Sequence, residues 1–239
     1  MARVLVISPH PDDEAIGCGG TLCAHSAAGD EIHVIFLTSG ERGSRAMGPA
    51  ETAEIREKEA AAAAAVLGIA GIEFWRQPDG ALRSSGMLAR KVAEAICGRK
   101  PDYLYATHGA ERHSDHRAAM RLTIRGLNLA QQPWPVVRLF EVWTPLQRWG
   151  FVQDISPHLE AKLRAIRCYA SQSANLRFDD AAAALSRYRG IMHDAGEYAE
   201  VFLALREPAE SHRGGMASQV LERGAVPAEH GAESGVCKT

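Results

Sequence analysis

Apolar runs of strand length alternate with segments of helical period from the first residues to about position 145. Val4 to Ile7 is followed by a helical stretch from Gly17 to Ala28. Ile32 to Leu37 is followed by a polar loop, Ser39 to Pro49, and by a helix from Glu51 to Leu67 that ends on Gly68 as its C-terminal cap. Ile72 to Trp75, Tyr103 to Thr107 and Val136 to Trp143 read as further strands. The helices between them start at Ser84 or Ser85, running to Cys97, and at Ser114, running to about Leu129. Phe151 to Ile155 reads as an edge strand. Ser156-Pro157 then caps and opens a helix reaching Tyr169, a further helix covers Asp180 to Gly190, and Tyr198 to Leu205 is apolar enough to return to the body of the protein. The alternation predicts an α/β fold: a Rossmann-like three-layer sandwich with a mostly parallel sheet and helices on both faces. Residues 1–206 are expected to form a single domain. Residues 207–239, dominated by Gly, Ser, Glu, Pro and His, are expected to be a poorly ordered tail.

A chain of 239 residues suffices for one such domain with a full core. Lys and Arg number 27 against 29 Asp and Glu, so the chain lacks the positive field that nucleic acid or an anionic membrane surface attracts. No segment approaches the roughly 18 to 20 apolar residues of a spanning helix, and the N-terminus has no cleavage region, so a cytoplasmic protein is expected. Five scattered cysteines without a Cys-x-x-Cys pair argue against a disulfide framework and against a thiolate zinc site. Cys18, beside the first motif below, is read as a packing residue. Gly17-Cys18-Gly19-Gly20 lacks the spacing of a phosphate loop, and its glycines are read as allowing a helix to approach the sheet closely.

Candidate chemistry gathers at two strand ends. His10-Pro11-Asp12-Asp13-Glu14 follows the first strand, and His113-Ser114-Asp115-His116 follows the fourth. Ligands of open α/β sheets bind beyond the carboxyl ends of the strands, which brings both motifs to one site. His10 and Asp13 can face one ion, with His116 as third ligand. Three protein ligands leave a position open for water, the mark of a catalytic zinc, which lowers the pKa of that water and polarises a carbonyl. Asp12 is the candidate general base. His113, if protonated, is placed to stabilise an oxyanion, with Asp115 orienting it. Glu14 is read as a hydrogen-bonding partner behind the ligands. Against this stand plainer readings: Asp12 and Asp13 as acids favoured in a first helical turn, and Asp115 as a helix cap.

These two motifs, in this order, resemble the LmbE-like, or PIG-L, family of zinc-dependent N-deacetylases. The resemblance extends over residues 3–205 and includes Thr38-Ser39-Gly40-Glu41, the helix with Arg56 and Glu59, Pro78-Asp79-Gly80 and Tyr169-Ala170-Ser171-Gln172. It implies zinc on His10, Asp13 and His116, with Fe2+ or another divalent ion as alternatives. It implies Asp12 as base and His113, supported by Asp115, at the oxyanion. It also implies sugar contacts by Arg56 and Asp79, although Arg56 is equally read as a helix-surface partner of Glu51 or Glu59, and Asp79 as a turn acid. One departure concerns Glu111, where family members commonly carry Asp and some carry a Tyr given an acid role; here Asp12 can itself return the proton to the leaving amine.

The leading expectation is hydrolysis of an acetamide on an amino sugar of the N-acetylglucosamine type, as a small molecule or glycoconjugate. The alternatives are an amidase for a larger amide such as a thiol conjugate, a non-haem iron enzyme, or a non-catalytic binding protein. Trp134 and Trp149, in loops flanked by Pro or Gly, are expected at the substrate rim. Oligomeric state is not legible.

Overall fold

The computed structural model describes residues 1–173 and 176–206; the expected tail lies outside the described residues. Seven strands form one sheet in the order β3-β2-β1-β4-β5-β7-β6. They are β1 (Arg3–Ser8), β2 (Glu31–Phe36), β3 (Gly71–Phe74), β4 (Tyr103–Thr107), β5 (Val136–Phe140), β6 (Phe151–Asp154) and β7 (Ala199–Arg206). The first five are parallel to one another, whereas β7 runs antiparallel between β5 and β6. The helices are α1 (Asp13–Ala27), α2 (Pro49–Leu67), α3 (Gly86–Arg99), α4 (Ser114–Ala130), α5 (Leu159–Cys168), α6 (Ala170–Ser173) and α7 (Phe178–Met192).

Strand periodicity sorts the core into two layers. Val4 and Val6 of β1 join Leu22, Ala63, Leu67, Ile166 and Ala182 on the face covered by α1, α2, α5 and α7. Leu5 and Ile7 join Val92, Ile96, Ala118 and Leu122 on the face covered by α3 and α4. The mostly parallel sheet with helices on both faces is therefore as expected from the sequence. Ser85 caps α3, accepting from the Leu88 amide, and Gly68 ends α2 in the left-handed region.

Two local readings need correction. α1 begins at Asp13 rather than Gly17, and non-helical angles at Cys18 kink it. Ser156 opens a 3-10 turn, Ser156–His158, before α5, and its hydroxyl accepts the Glu197 and Tyr198 amides instead of capping the helix. The apolar segment Tyr198 to Leu205 returns to the body, as expected, as strand β7, and β6 lies at the sheet edge. The glycines of α1 do allow close approach: a Cβ on Gly17 would lie 2.2 Å from Phe140 Cδ2, and one on Gly20 2.6 Å from Ile155 Cβ.

Candidate active site

β1 and β4 are neighbours in register, Ile7 beside Ala106, so the segments leaving their carboxyl ends emerge side by side. The His10 segment turns tightly. The Ser8 hydroxyl donates to the His10 carbonyl, and the His10 amide donates to Asp13 Oδ2. Asp12 has φ of 119°, a region costly for a residue with a Cβ. The turn is held by its amide donating to Glu14 Oε2 and its carbonyl accepting from Ala15 and Ile16. On the other side, His113 caps α4, its Nδ1 accepting the Asp115 amide at 3.2 Å.

Asp13 Oδ2 lies 3.0 Å from His10 Nδ1 and 3.2 Å from His116 Nε2. Ligands of one tetrahedral ion, bound at about 2.0–2.1 Å, stand about 3.3 Å apart. A nitrogen from each of His10, His113 and His116 lies within 4.8 Å of the others. His116 Nε2 is buried without a hydrogen-bond partner among the described residues. An orphaned imidazole nitrogen beside a carboxylate and a second imidazole fits a divalent cation, so His10, Asp13 and His116 are the residues that can hold one. Oxygens of Asp79 and Asp115 form a second such group with His10, at 3.1 and 3.3 Å from its Nε2. With Nδ1 turned to Asp13, this is the arrangement that holds the outer nitrogen of a metal-ligating histidine.

Electrostatics separate the two adjacent aspartates. Burial opposes ionisation of Asp13, but His116 and His10 outweigh it and hold this carboxyl far below the carboxylate range. Burial pushes Asp12 up to about 7, against the Arg56 guanidinium, whose Nη2 donates to Asp12 Oδ2 at 3.0 Å. Burial likewise pushes Glu14 up to about 8, although the Tyr169 hydroxyl donates to its Oε1. Burial would lower His10, yet its bonds to Asp115, Asp13 and Asp79 raise it well above the usual value. His113 is lowered, by burial first and then by His10 and His116, and with Nδ1 accepting it carries its proton on Nε2.

Two expected partnerships are built differently. The Asp115 carboxylate makes no hydrogen bond to His113 among the described residues; its oxygens accept the Gly80 and Leu82 amides and face His10. Arg56 is 4% exposed and is spent on Asp12 and the Pro11 and Gly40 carbonyls, so it does not sit on the helix surface. Asp79 is placed at the floor of the cleft. Its Oδ2 accepts the Arg42 amide, and its pKa falls to about 2 as His10 overcomes the effect of burial.

The cleft, about 740 Å³, is lined by His10, Asp12, Asp13, Asp79, His113 and Arg56. Its rim includes Arg42, Arg45, Trp143, Gln172 and Phe178. The aromatic expected at the rim is corrected: neither Trp134 nor Trp149 lines the cleft, and Trp149 instead stacks on His193 at 4.4 Å. Trp143 follows the carboxyl end of β5, which is the edge where the chemistry lies. Only its position past a strand terminus could have signalled this.

Residues 5–126 match the family of GlcNAc-PI de-N-acetylase, PIG-L. The chain belongs to the PIG-L family. Among PIG-L family relatives, the 1D-myo-inositol 2-acetamido-2-deoxy-alpha-D-glucopyranoside deacetylase of Kineococcus radiotolerans is 28% identical over 60% of this chain. The chain spans about half of that relative, 52% of its length. The diacetylchitobiose deacetylase of Thermococcus kodakarensis is 31% identical, over 72% of this chain and 70% of its own. The crystal structure of the 4-carboxy-2-hydroxymuconate hydratase of Pseudomonas putida KT2440 superposes with a TM-score of 0.81 at 25% identity, over 90% of this chain and all of that one. Both motifs lie within the segment that matches the PIG-L family. No helix of the described residues is long and apolar enough to cross a membrane.

Proposed function

We propose that this protein is a zinc-dependent N-deacetylase that hydrolyses the acetamide of an N-acetylglucosamine-type amino sugar, either a small molecule or a glycoconjugate. The observation that carries this reading is Asp12. It lies beside the three residues that can hold a cation, lines the cleft, and has a proton affinity near neutrality instead of that of a solvated carboxylate. A zinc ion on His10, Asp13 and His116 would supply Lewis acidity, making water more acidic and the acetyl carbonyl more electrophilic.

The protein's own groups supply the rest. Asp12 removes a proton from the attacking water as its oxygen bonds to the carbonyl carbon. His113 donates its Nε2 proton in a hydrogen bond to the oxygen that gains charge. Asp12 then passes the proton to the nitrogen as the C–N bond breaks, leaving acetate and a free amine. Arg56 keeps the Asp12 carboxylate aimed throughout. This scheme uses His113 neutral, where the sequence reading had it as an imidazolium. The relatives named as deacetylases of a glucosamine–inositol and of diacetylchitobiose support the substrate class.

The test is release of free amine and acetate, in equal amounts, from a panel of N-acetylglucosamine derivatives by zinc-loaded protein. Asp12→Asn should lower kcat by about 10²–10⁴-fold while zinc content stays the same. Equal turnover by the variant, or no amine from any member of the panel, overturns the assignment.

A second reading is favoured by the structural likeness to a hydratase. The same base could direct water onto a carbon–carbon double bond, with the exposed Arg42 and Arg45 at the rim as partners for a substrate carboxylate. Including an unsaturated dicarboxylate in the panel and following loss of its conjugated absorbance separates the two.

A further inference from the structure

Glu111 departs from the pattern the sequence resembles, and its surroundings assign it work. The residue is 1% exposed. Its Oε1 accepts two backbone amides, Val142 at 2.7 Å and Trp143 at 3.0 Å, which pin the carboxylate to the segment leaving β5. The nearby His108 is already committed. Its Nδ1 accepts the Ala110 amide and its Nε2 donates to the Thr144 carbonyl at 2.7 Å, so its own contact with Oε1 is the longer one at 3.5 Å. The second oxygen, Oε2, has no hydrogen-bond partner among the described residues, and neither has His116 Nδ1. These two buried orphans face each other at 3.9 Å.

A neutral imidazole carries one proton. If His116 directs the lone pair of Nε2 toward Asp13 and a cation, the proton is on Nδ1, and Glu111 Oε2 faces it there. Closing 3.9 Å to a hydrogen bond requires a shift of about 1 Å. We infer that Glu111 is a positioning residue: it fixes the Nδ1–H tautomer and the orientation of His116 so that Nε2 is free to bind the metal. The same carboxylate ties the metal ligand to the backbone of Trp143, so the ligand and the cleft wall are set by one side chain. The inference rests on the reading of His10, Asp13 and His116 as a cation site.

Glu111→Gln is the discriminating variant. Its amide oxygen can still accept the Val142 and Trp143 amides, but its NH2 group would face Nδ1 and require it to accept, which moves the His116 proton to Nε2 and blocks that nitrogen. Zinc affinity of metal-free wild type and variant is measured by competition with a chromophoric chelator, and the His116 tautomer by 15N NMR of histidine-labelled protein. The variant should bind zinc about 10–100-fold more weakly, with an unchanged melting temperature of the metal-free form, and zinc-loaded wild type should show Nδ1 protonated. Zinc affinity within twofold of wild type, or a metal-bound Nδ1 in the wild type, overturns the inference alone. If Glu111→Gln fails to fold, the wild-type spectrum decides. A wild type that binds no zinc overturns the proposed function and this inference with it.

Discussion

Asp12 and Asp13 are chemically identical and adjacent, yet one is held ionised and the other near neutrality, which is what a ligand and a base respectively require. Asp12 must be ionised to accept a proton, so the rate should rise with pH along an acid limb that lies below about 7, since a bound cation beside Asp12 favours its ionised form. Arg56 opposes the upward push of burial on Asp12. Replacing it by Met should therefore raise the Asp12 pKa and move the acid limb of the kcat/KM profile to higher pH, by about one unit. Unpairing the Pro11 and Gly40 carbonyls should also lower stability by about 1–3 kcal/mol each, so a melting curve must accompany the profile. A limb that stays in place would assign it to another group. Both motifs were legible in the sequence because their residues are crowded into short segments past strand ends. The link from Arg56 to Asp12 was not, since it joins residues 44 apart and Arg56 opens a charged run, Arg56-Glu57-Lys58-Glu59, that reads as an exposed helix face. Glu111 was noticed only as a departure from the family pattern; its surroundings were hidden for the same reason, because Val142 and Trp143 lie 31 and 32 residues away.

At the scale of elements, the kink in α1 shows how the site loop is anchored. Breaking the helix at Cys18 frees the amides of the next turn, and Glu200 of β7 accepts two of them, Gly20 at 2.9 Å and Thr21 at 2.8 Å. Glu200 also accepts the Thr21 hydroxyl and pairs with Lys162 of α5 at 2.6 Å, both charged groups being nearly fully buried. One carboxylate thus ties α1, α5 and β7 together behind the turn that carries His10 and Asp13. Glu200→Gln leaves the Lys162 charge buried without its partner and should destabilise the protein by about 3–5 kcal/mol in chemical denaturation. Adding Lys162→Met to that variant should recover part of the loss, because the uncompensated charge is removed. A single-variant loss below about 1 kcal/mol would mean that water reaches the pair and screens it. Sequence periodicity marked α1 as helical but placed its start at Gly17. The glycines suggested an approach to the sheet, which Phe140 and Ile155 bear out; the kink was hidden because the group that satisfies it comes from a strand 180 residues away.

The whole molecule divides its labour between the two edges of one sheet. The order of β1 to β5 could be read as a class because each strand is followed by a helix, and parallel strands require such crossovers. The insertion of β7 between β5 and β6 could not, since an antiparallel partner is chosen by long-range fit and leaves no local mark. The carboxyl edge carries the chemistry. At the amino edge, Asp30 accepts the Ala2 amide and the Nδ1 proton of His25, whose Nε2 lies 2.9 Å from the hydroxyl of buried Tyr105. Burial depresses the His25 pKa despite Asp30, so the unfolded chain takes up this proton more readily than the folded one. The sign follows: His25 contributes stability above about pH 6.5, and that contribution is lost as pH falls below it, at no more than about 1.4 kcal/mol per pH unit. His10 acts in the opposite sense, its raised pKa favouring the folded state on the acid side, so the profile of the wild type alone mixes the two. The informative quantity is the difference in unfolding free energy between wild type and His25→Gln, measured in urea from about pH 7.5 to 5. It should shrink steadily on the acid side of about pH 6.5, as the wild type loses what the variant never had. A difference independent of pH would show that His25 binds its proton equally well in the folded and unfolded states, and would leave the amino edge held by Asp30 and its Ala2 bond.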